Sequence, residues 1–244
     1  MSQLPANLPG KSLLPRLAAF LPCALAALLL AGCGGGGGPD ASRKQVMANV
    51  NWEFAKDAVM VEVAAAPNLN EYAGQSHTLL LGVYQMADPA PFYKMLADSN
   101  ALARSLSSEK GGDAYVQFTR YIVAPGQHSI LILDRAQKAK YIGLVAGYYK
   151  LSGATSARLF EIPLSVSSDG LITTTWSAAP MTLAVRMNFG ADGILNADKL
   201  NHDPSAQKMQ EAVPLDGGGK EIKLTNESIQ DAVQQHQTLQ KIGN

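Results

Sequence analysis

The chain has 244 residues, and its 20 lysines and arginines balance 20 aspartates and glutamates. That balance leaves no electrostatic footprint for nucleic acid, which asks for clustered positive charge. Of its two cysteines, Cys23 falls within an amino-terminal signal and Cys33 is a lipid acceptor, which leaves no thiol for a disulfide, a zinc site or a nucleophile.

The amino terminus reads as a secretory signal over residues 1–32. Lys11 and Arg16 form a positive start, Leu17 to Ala31 is almost unbroken apolar sequence, and Leu30-Ala31-Gly32-Cys33 places small residues before a cysteine. The apolar run is shorter than the roughly 20 residues a stable membrane span needs, and it contains Pro22. Cleavage before Cys33 removes Cys23, Lys11 and Arg16, so the mature chain has 20 − 2 = 18 basic against 20 acidic side chains. Its thiol is then the acceptor for a lipid anchor. Each buried methylene contributes about 0.8 kcal/mol, so two or more acyl chains hold stably where one is marginal. The residue after Cys33 is Gly34, not the aspartate that commonly retains bacterial lipoproteins in the inner membrane, and the expected location is the outer membrane, facing the periplasm. Residues 33–48, opening with five glycines, read as a lipidated tether of flexible chain.

The body, residues 49–190, reads as mainly β. Val59, Val61 and Val63 alternate with Met60, Glu62 and Ala64, and Leu79, Leu81 and Val83 repeat the period of two. Asp88-Pro89 opens a helical insertion over about 88–108. There Phe92, Met95 and Leu96 make a stripe that Leu102 and Leu106 continue, and Gly111-Gly112 stops it. Residues 115–124 are a less regular strand, because Arg120 shares a face with Val116, Phe118 and Ile122. Ile130 to Leu133 is a buried strand. Ile142, Leu144, Ala146 and Tyr148 line one face of the next, whose other face carries Gly143 and Gly147, where a neighbouring backbone can approach. Leu183, Val185, Met187 and Phe189 alternate with polar and small residues. Several short strands separated by turns argue for a β-sandwich. Residues 191–244 read as a polar, partly disordered extension. Gly217-Gly218-Gly219 is a hinge there, and Asn226 to Lys241 is a weak amphipathic stretch with Ile229, Val233 and Leu239.

No catalytic constellation stands out. His77, His128, His202 and His236 never fall at metal-ligand spacing, and neither a Gly-x-Ser-x-Gly elbow nor a phosphate loop is present. The run Asn188 to Gly193 has the glycine of a calcium loop, but Lys199 stands where the final glutamate belongs, so it reads as a tight turn. Neither an enzyme nor a cofactor is expected. The connection Pro67 to Gln75 is long for a hairpin and mixes amides with Leu69 and Tyr72, a composition that suits a protein contact.

Taken in order, these segments resemble the TssJ lipoproteins of bacterial type VI secretion systems. The resemblance rests on the lipobox at Cys33, on Asn68-Leu69-Asn70 after the first strand, and on Val83-Tyr84-Gln85-Met86 before Asp88. Phe92 and Leu96, Ala124-Pro125-Gly126-Gln127 and Tyr141 to Tyr149 complete it. It covers roughly residues 50–163. It departs at Arg158-Leu159-Phe160, where the family usually has a tryptophan-arginine pair, and the chain runs past the usual end of such proteins. The resemblance implies a transthyretin-like β-sandwich with a short helical insertion, tethered to the outer membrane. It further implies binding to the periplasmic carboxy-terminal domain of the inner-membrane protein TssM and, through it, to TssL. The family's contact loop maps onto Pro67 to Gln75, with Asn68, Leu69, Asn70, Glu71 and Tyr72 as the expected contact residues. A generic periplasmic module for a small ligand or glycan is the alternative; its stacking residues would be Trp52 and Trp176, outside the matched strands.

Overall fold

The computed structural model describes residues 39–170, 174–200 and 212–224. The signal segment, Cys33 and the amphipathic stretch 226–241 lie outside them. Two compact units divide at Gln45 and Val46, and the whole β body belongs to the second.

The first described element corrects the tether. Pro39–Ala48 is a helix, α1, with Asp40 in its first turn. Its Ala, Arg, Lys, Gln and Met are good helix formers, and proline is tolerated at a first helical position because its missing N–H would be unpaired anyway.

Among the described residues, twelve strands follow in chain order: β1 (Ala55–Ala65), β2 (Leu79–Met86), β3 (Gln117–Val123), β4 (His128–Arg135), β5 (Tyr141–Ala146), β6 (Ala157–Glu161), β7 (Leu164–Asp169), β8 (Thr175–Pro180), β9 (Leu183–Phe189), β10 (Ile194–Lys199), β11 (Val213–Pro214) and β12 (Lys220–Lys223). Helices α2 (Ala90–Leu96) and α3 (Ser99–Ser107) lie between β2 and β3, and a single turn, α4 (Gly153–Ser156), precedes β6. One sheet has the order β10-β9-β1-β4-β12-β11, the other β3-β2-β5-β6, and β7-β8 is a separate hairpin. This is the β-sandwich with a helical insertion that the alternation implies.

The central core lies between the two sheets. Val59, Val61 and Val63 from β1, Leu131 and Leu133 from β4, and Leu183, Val185 and Met187 from β9 pack with Leu81, Val83, Ile142 and Leu144. β1 runs antiparallel to β4 and parallel to β9, so Val59 and Val61 are flanked on both sides by apolar partners, while Val63 lies between Met187 and Ser129. Gln85 crosses this layer. Its Nε2 donates to the Asp134 carbonyl at 2.8 Å and its Oε1 accepts from the Ala136 N–H at 2.9 Å. A buried amide with both ends paired ties the end of β2 to the β4–β5 turn, which gives the Tyr84-Gln85 motif a structural role.

The insertion packs on the outer face of the smaller sheet. Phe92, Met95, Leu102 and Leu106 close over Tyr84, Met86 and Val145. Asp98 caps α3 by accepting from the Asn100 N–H. Glycine 143 does serve close approach, but to a side chain rather than a backbone: a Cβ there would sit 2.6 Å from Phe92 Cζ. Arg120, the residue that spoils the β3 pattern, reaches outward and donates to the carbonyls of Leu106 and Ser107 at 3.5 and 3.2 Å. A cation at the carbonyl end of α3 is favourable, because the helix dipole leaves negative charge there.

Within the extension, the described residues 191–200 and 212–224 depart furthest from expectation. Residues 194–199 are a full strand paired with β9. The hairpin β11–β12 adds to the open edge of β4, with Ile222 opposite Ile130. Ile222 is fully buried with Met60, Ile130, Ile132 and Ala184 on the outer face of the larger sheet. The triple glycine is the turn of this hairpin, with Gly218 and Gly219 at φ of 88° and 86°. That turn touches the other sheet: Tyr121 donates its hydroxyl hydrogen to the Gly218 carbonyl at 2.7 Å. Lys220 reaches Asp57 on β1 at 2.9 Å. The sandwich therefore continues past residue 190 and takes in residues 194–199 and 220–223.

Candidate partner-binding surface

The connection from β1 to β2 is fixed to the sandwich at many points. The N–H of Ala66 donates to the Phe189 carbonyl at 2.9 Å, that of Glu71 to Ala191 at 2.8 Å, and that of His77 to Leu69 at 3.0 Å. Tyr72 and Gln75 exchange backbone hydrogen bonds at 2.9 and 3.0 Å around Ala73-Gly74. Both central residues have positive φ, 53° and 77°, as a type I′ hairpin turn requires.

Two of the five expected contact residues are structural. Leu69 is fully buried in the central core, so it offers nothing to a partner. Asn70 is buried at φ 48°, a left-handed conformation that asparagine tolerates better than most residues. Its Nδ2 donates to the Thr78 carbonyl at 3.1 Å, and its Oδ1 accepts from the Tyr149 N–H at 3.0 Å. It clamps the loop to the end of β5. A leucine among polar residues looks like contact area in sequence, but a loop this well bonded needs an apolar anchor.

The other three are exposed. Asn68 donates to Glu71 at 3.3 Å along the outer side of the loop. The Tyr72 ring stacks on Tyr149, with centroids 4.6 Å apart and planes at 22°. His77 meets the same Tyr149 edge-on at 5.2 Å. The alternation that begins at Tyr141 stops short of Tyr149: β5 ends at Ala146, and Tyr149 stands out in solvent. Its neighbour Tyr148 points inward, and burial pushes its phenol pKa up.

Beside this aromatic cluster an open groove of about 440 Å³ runs between the sheet and α3, lined by Leu80, Ala103, Leu106, Ile122, Gly147 and Tyr149 among others. Among the described residues no group of three or more His, Cys, Asp or Glu side chains converges as a metal site would.

A two-sheet sandwich with a helical insertion and a rigid, aromatic-tipped loop is a β module whose site offers contact surface. The model of one family, described as type VI secretion lipoprotein, VasD, EvfM, TssJ, matches residues 57–203, and the chain belongs to that family. The match runs from Asp57, within β1, through β10 and stops short of the β11–β12 hairpin. The chain is similar to the type VI lipoprotein TssJ1 of Pseudomonas aeruginosa, at 25% identity and a TM-score of 0.43 over 59% of this chain and 97% of that one. It is also similar to Serratia marcescens Lip, a membrane-bound component of the type VI secretion system, at 21% identity and a TM-score of 0.41 over 59% and 96%. A chain in the solved structure of the TssM C-terminal domain from EAEC matches at 14% identity and a TM-score of 0.39, over 59% and 98%. No curated protein matches the chain.

Proposed function

We propose that acyl chains on Cys33 hold this lipoprotein in the outer membrane, facing the periplasm, where it binds the periplasmic carboxy-terminal domain of TssM. Through TssM it joins TssL in an envelope-spanning complex. The function is mechanical: to couple an outer-membrane anchor to an inner-membrane protein. Membership of the type VI lipoprotein family supports this reading, and one observation carries the site.

That observation is the exposed Tyr72 ring, already stacked on Tyr149 above a loop bonded down on both sides. Ordering side chains and loops on binding costs affinity, and a loop rigid before contact avoids much of that cost. Tyrosine supplies a large apolar face with a polar tip, which is why it is enriched among residues that dominate interfaces. Asn68 and Glu71 flank it with hydrogen-bonding groups suited to an interface rim.

Calorimetric titration of the mature protein in detergent with the TssM periplasmic domain tests the reading. Saturable one-to-one binding is expected. An absence of binding up to about 100 µM, where even an affinity near −5.5 kcal/mol is seen, contradicts it.

A further inference from the structure

We propose that the groove between β2, β3 and α3 is a second part of the TssM contact, receiving apolar side chains that TssM carries next to the segment seated on Tyr72. The proposal rests on the reading above and extends it from a loop to a continuous surface.

Four large apolar side chains are exposed together there. Ile122 is 68% accessible, Tyr72 59%, Tyr149 56% and Leu80 38%. Leu80 and Ile122 are direct cross-strand partners, and Tyr149 belongs both to the groove lining and to the aromatic stack with Tyr72. Loop and groove are therefore one surface. Contiguous exposed apolar area of this kind marks an interaction site, whereas scattered apolar residues do not.

The polar groups around the groove argue for the class of occupant. Both functional atoms of Asn70 are engaged, one by the Thr78 carbonyl and one by the Tyr149 N–H. The Ser107 hydroxyl donates to the Ala103 carbonyl at 2.8 Å, and the Ser107 carbonyl accepts from Arg120. A small ligand or glycan needs several placed polar groups to fix its orientation, and of those lining the groove the Asn70 amide and the Ser107 hydroxyl are already committed to the protein. Apolar side chains of a protein partner need none. The groove is also kept in shape: Arg120 ties the end of α3 to β3, and a Cβ on Gly147 would lie 2.9 Å from the Leu106 side chain that forms the groove floor.

Ile122→Asp and Ala103→Trp test the proposal on the mature full-length protein, the first placing charge in the groove and the second filling it. Both positions are exposed, and melting curves check that the fold is kept. Each variant is titrated with the TssM periplasmic domain beside Tyr72→Ala, and Ile122→Leu serves as the conservative control. Each groove variant is expected to weaken binding at least about tenfold, with Ile122→Leu near wild type. Weakening by Tyr72→Ala alone overturns the groove and leaves the loop reading intact. Weakening by the groove variants alone supports the groove and overturns the loop as anchor. A wild-type protein that self-associates and becomes monomeric on Ile122→Asp, with TssM binding unchanged, overturns the proposal in favour of contact between copies.

Discussion

Removing the Ile222 side chain should destabilise the sandwich, although the residue lies beyond the region that the family model covers. Ile222 is fully buried against Met60, Ile130, Ile132 and Ala184. Isoleucine-to-alanine changes in cores cost about 2–5 kcal/mol, depending on how far the site collapses. β12 is a four-residue strand near the sheet edge, so collapse is easy and the lower part, about 2–3 kcal/mol, applies. For a domain of this size each kcal/mol shifts the melting temperature by about 2–4 °C, which gives a fall of about 4–12 °C for Ile222→Ala. Truncation after residue 211 should cost more. It also removes the Tyr121–Gly218 bond, the Leu224 N–H bond to the His128 carbonyl at 2.8 Å and the packing of Leu215 on the central core. The Lys220–Asp57 pair is partly exposed, with side chains 30% and 21% accessible, so Lys220→Met should cost under about 1 kcal/mol. Thermal melts by circular dichroism measure all three. A truncated protein melting within about 2 °C of the full chain would refute the view that the hairpin belongs to the fold.

Further predictions address other parts of the argument. Gly143→Ala drives a methyl into the Phe92 ring; an overpacking cost of about 1–3 kcal/mol is expected, with a matching loss in urea midpoint, and Phe92→Leu should relieve it. Asn70→Ala removes two hydrogen bonds and puts alanine at φ 48°, so amides in residues 69–78 should exchange hydrogen faster while the β1 and β4 amides stay protected. Cys33→Ser should leave a folded, abundant protein in the soluble periplasmic fraction, because the thiol that takes the lipid is gone; retention in the outer-membrane fraction would contradict the anchor.

Much of the sandwich is legible in the sequence because one face of each strand is buried, which writes a period of two into β1, β2 and β9. The helical insertion is legible for the analogous reason, from its spaced Phe92, Met95, Leu102 and Leu106. What escapes is what depends on distant pairing. Lys220-Glu221-Ile222-Lys223 holds a single apolar residue, too little for any periodicity, and becomes a strand because β4 offers a free edge. The triple glycine suits a hinge and a left-handed hairpin turn equally well, and sequence alone does not separate them. At the site, Tyr72 is visible as an aromatic in a long loop, but Leu69 and Asn70 look the same as their exposed neighbours. Asparagine's tolerance of positive φ is the one local signal that hints at a clamp. Tyr149 is hidden differently, because it sits one residue past a buried tyrosine and outside the strand that its alternation continues. Residues 39–48 show the reverse case: their composition favours helix, and the preceding glycines suggest a tether.

The central claim, that Tyr72 and its loop are where TssM is held, is tested most directly by titrating Tyr72→Ala with the TssM periplasmic domain. Tyr72 is exposed and its main partner is the Tyr149 ring, so the variant should melt within about 2 °C of wild type, as surface changes usually do. Truncating an interface anchor costs about 2 kcal/mol or more, so affinity should fall at least roughly thirtyfold. Unchanged affinity in a variant with an unchanged melting curve would contradict the account and move the contact off this loop.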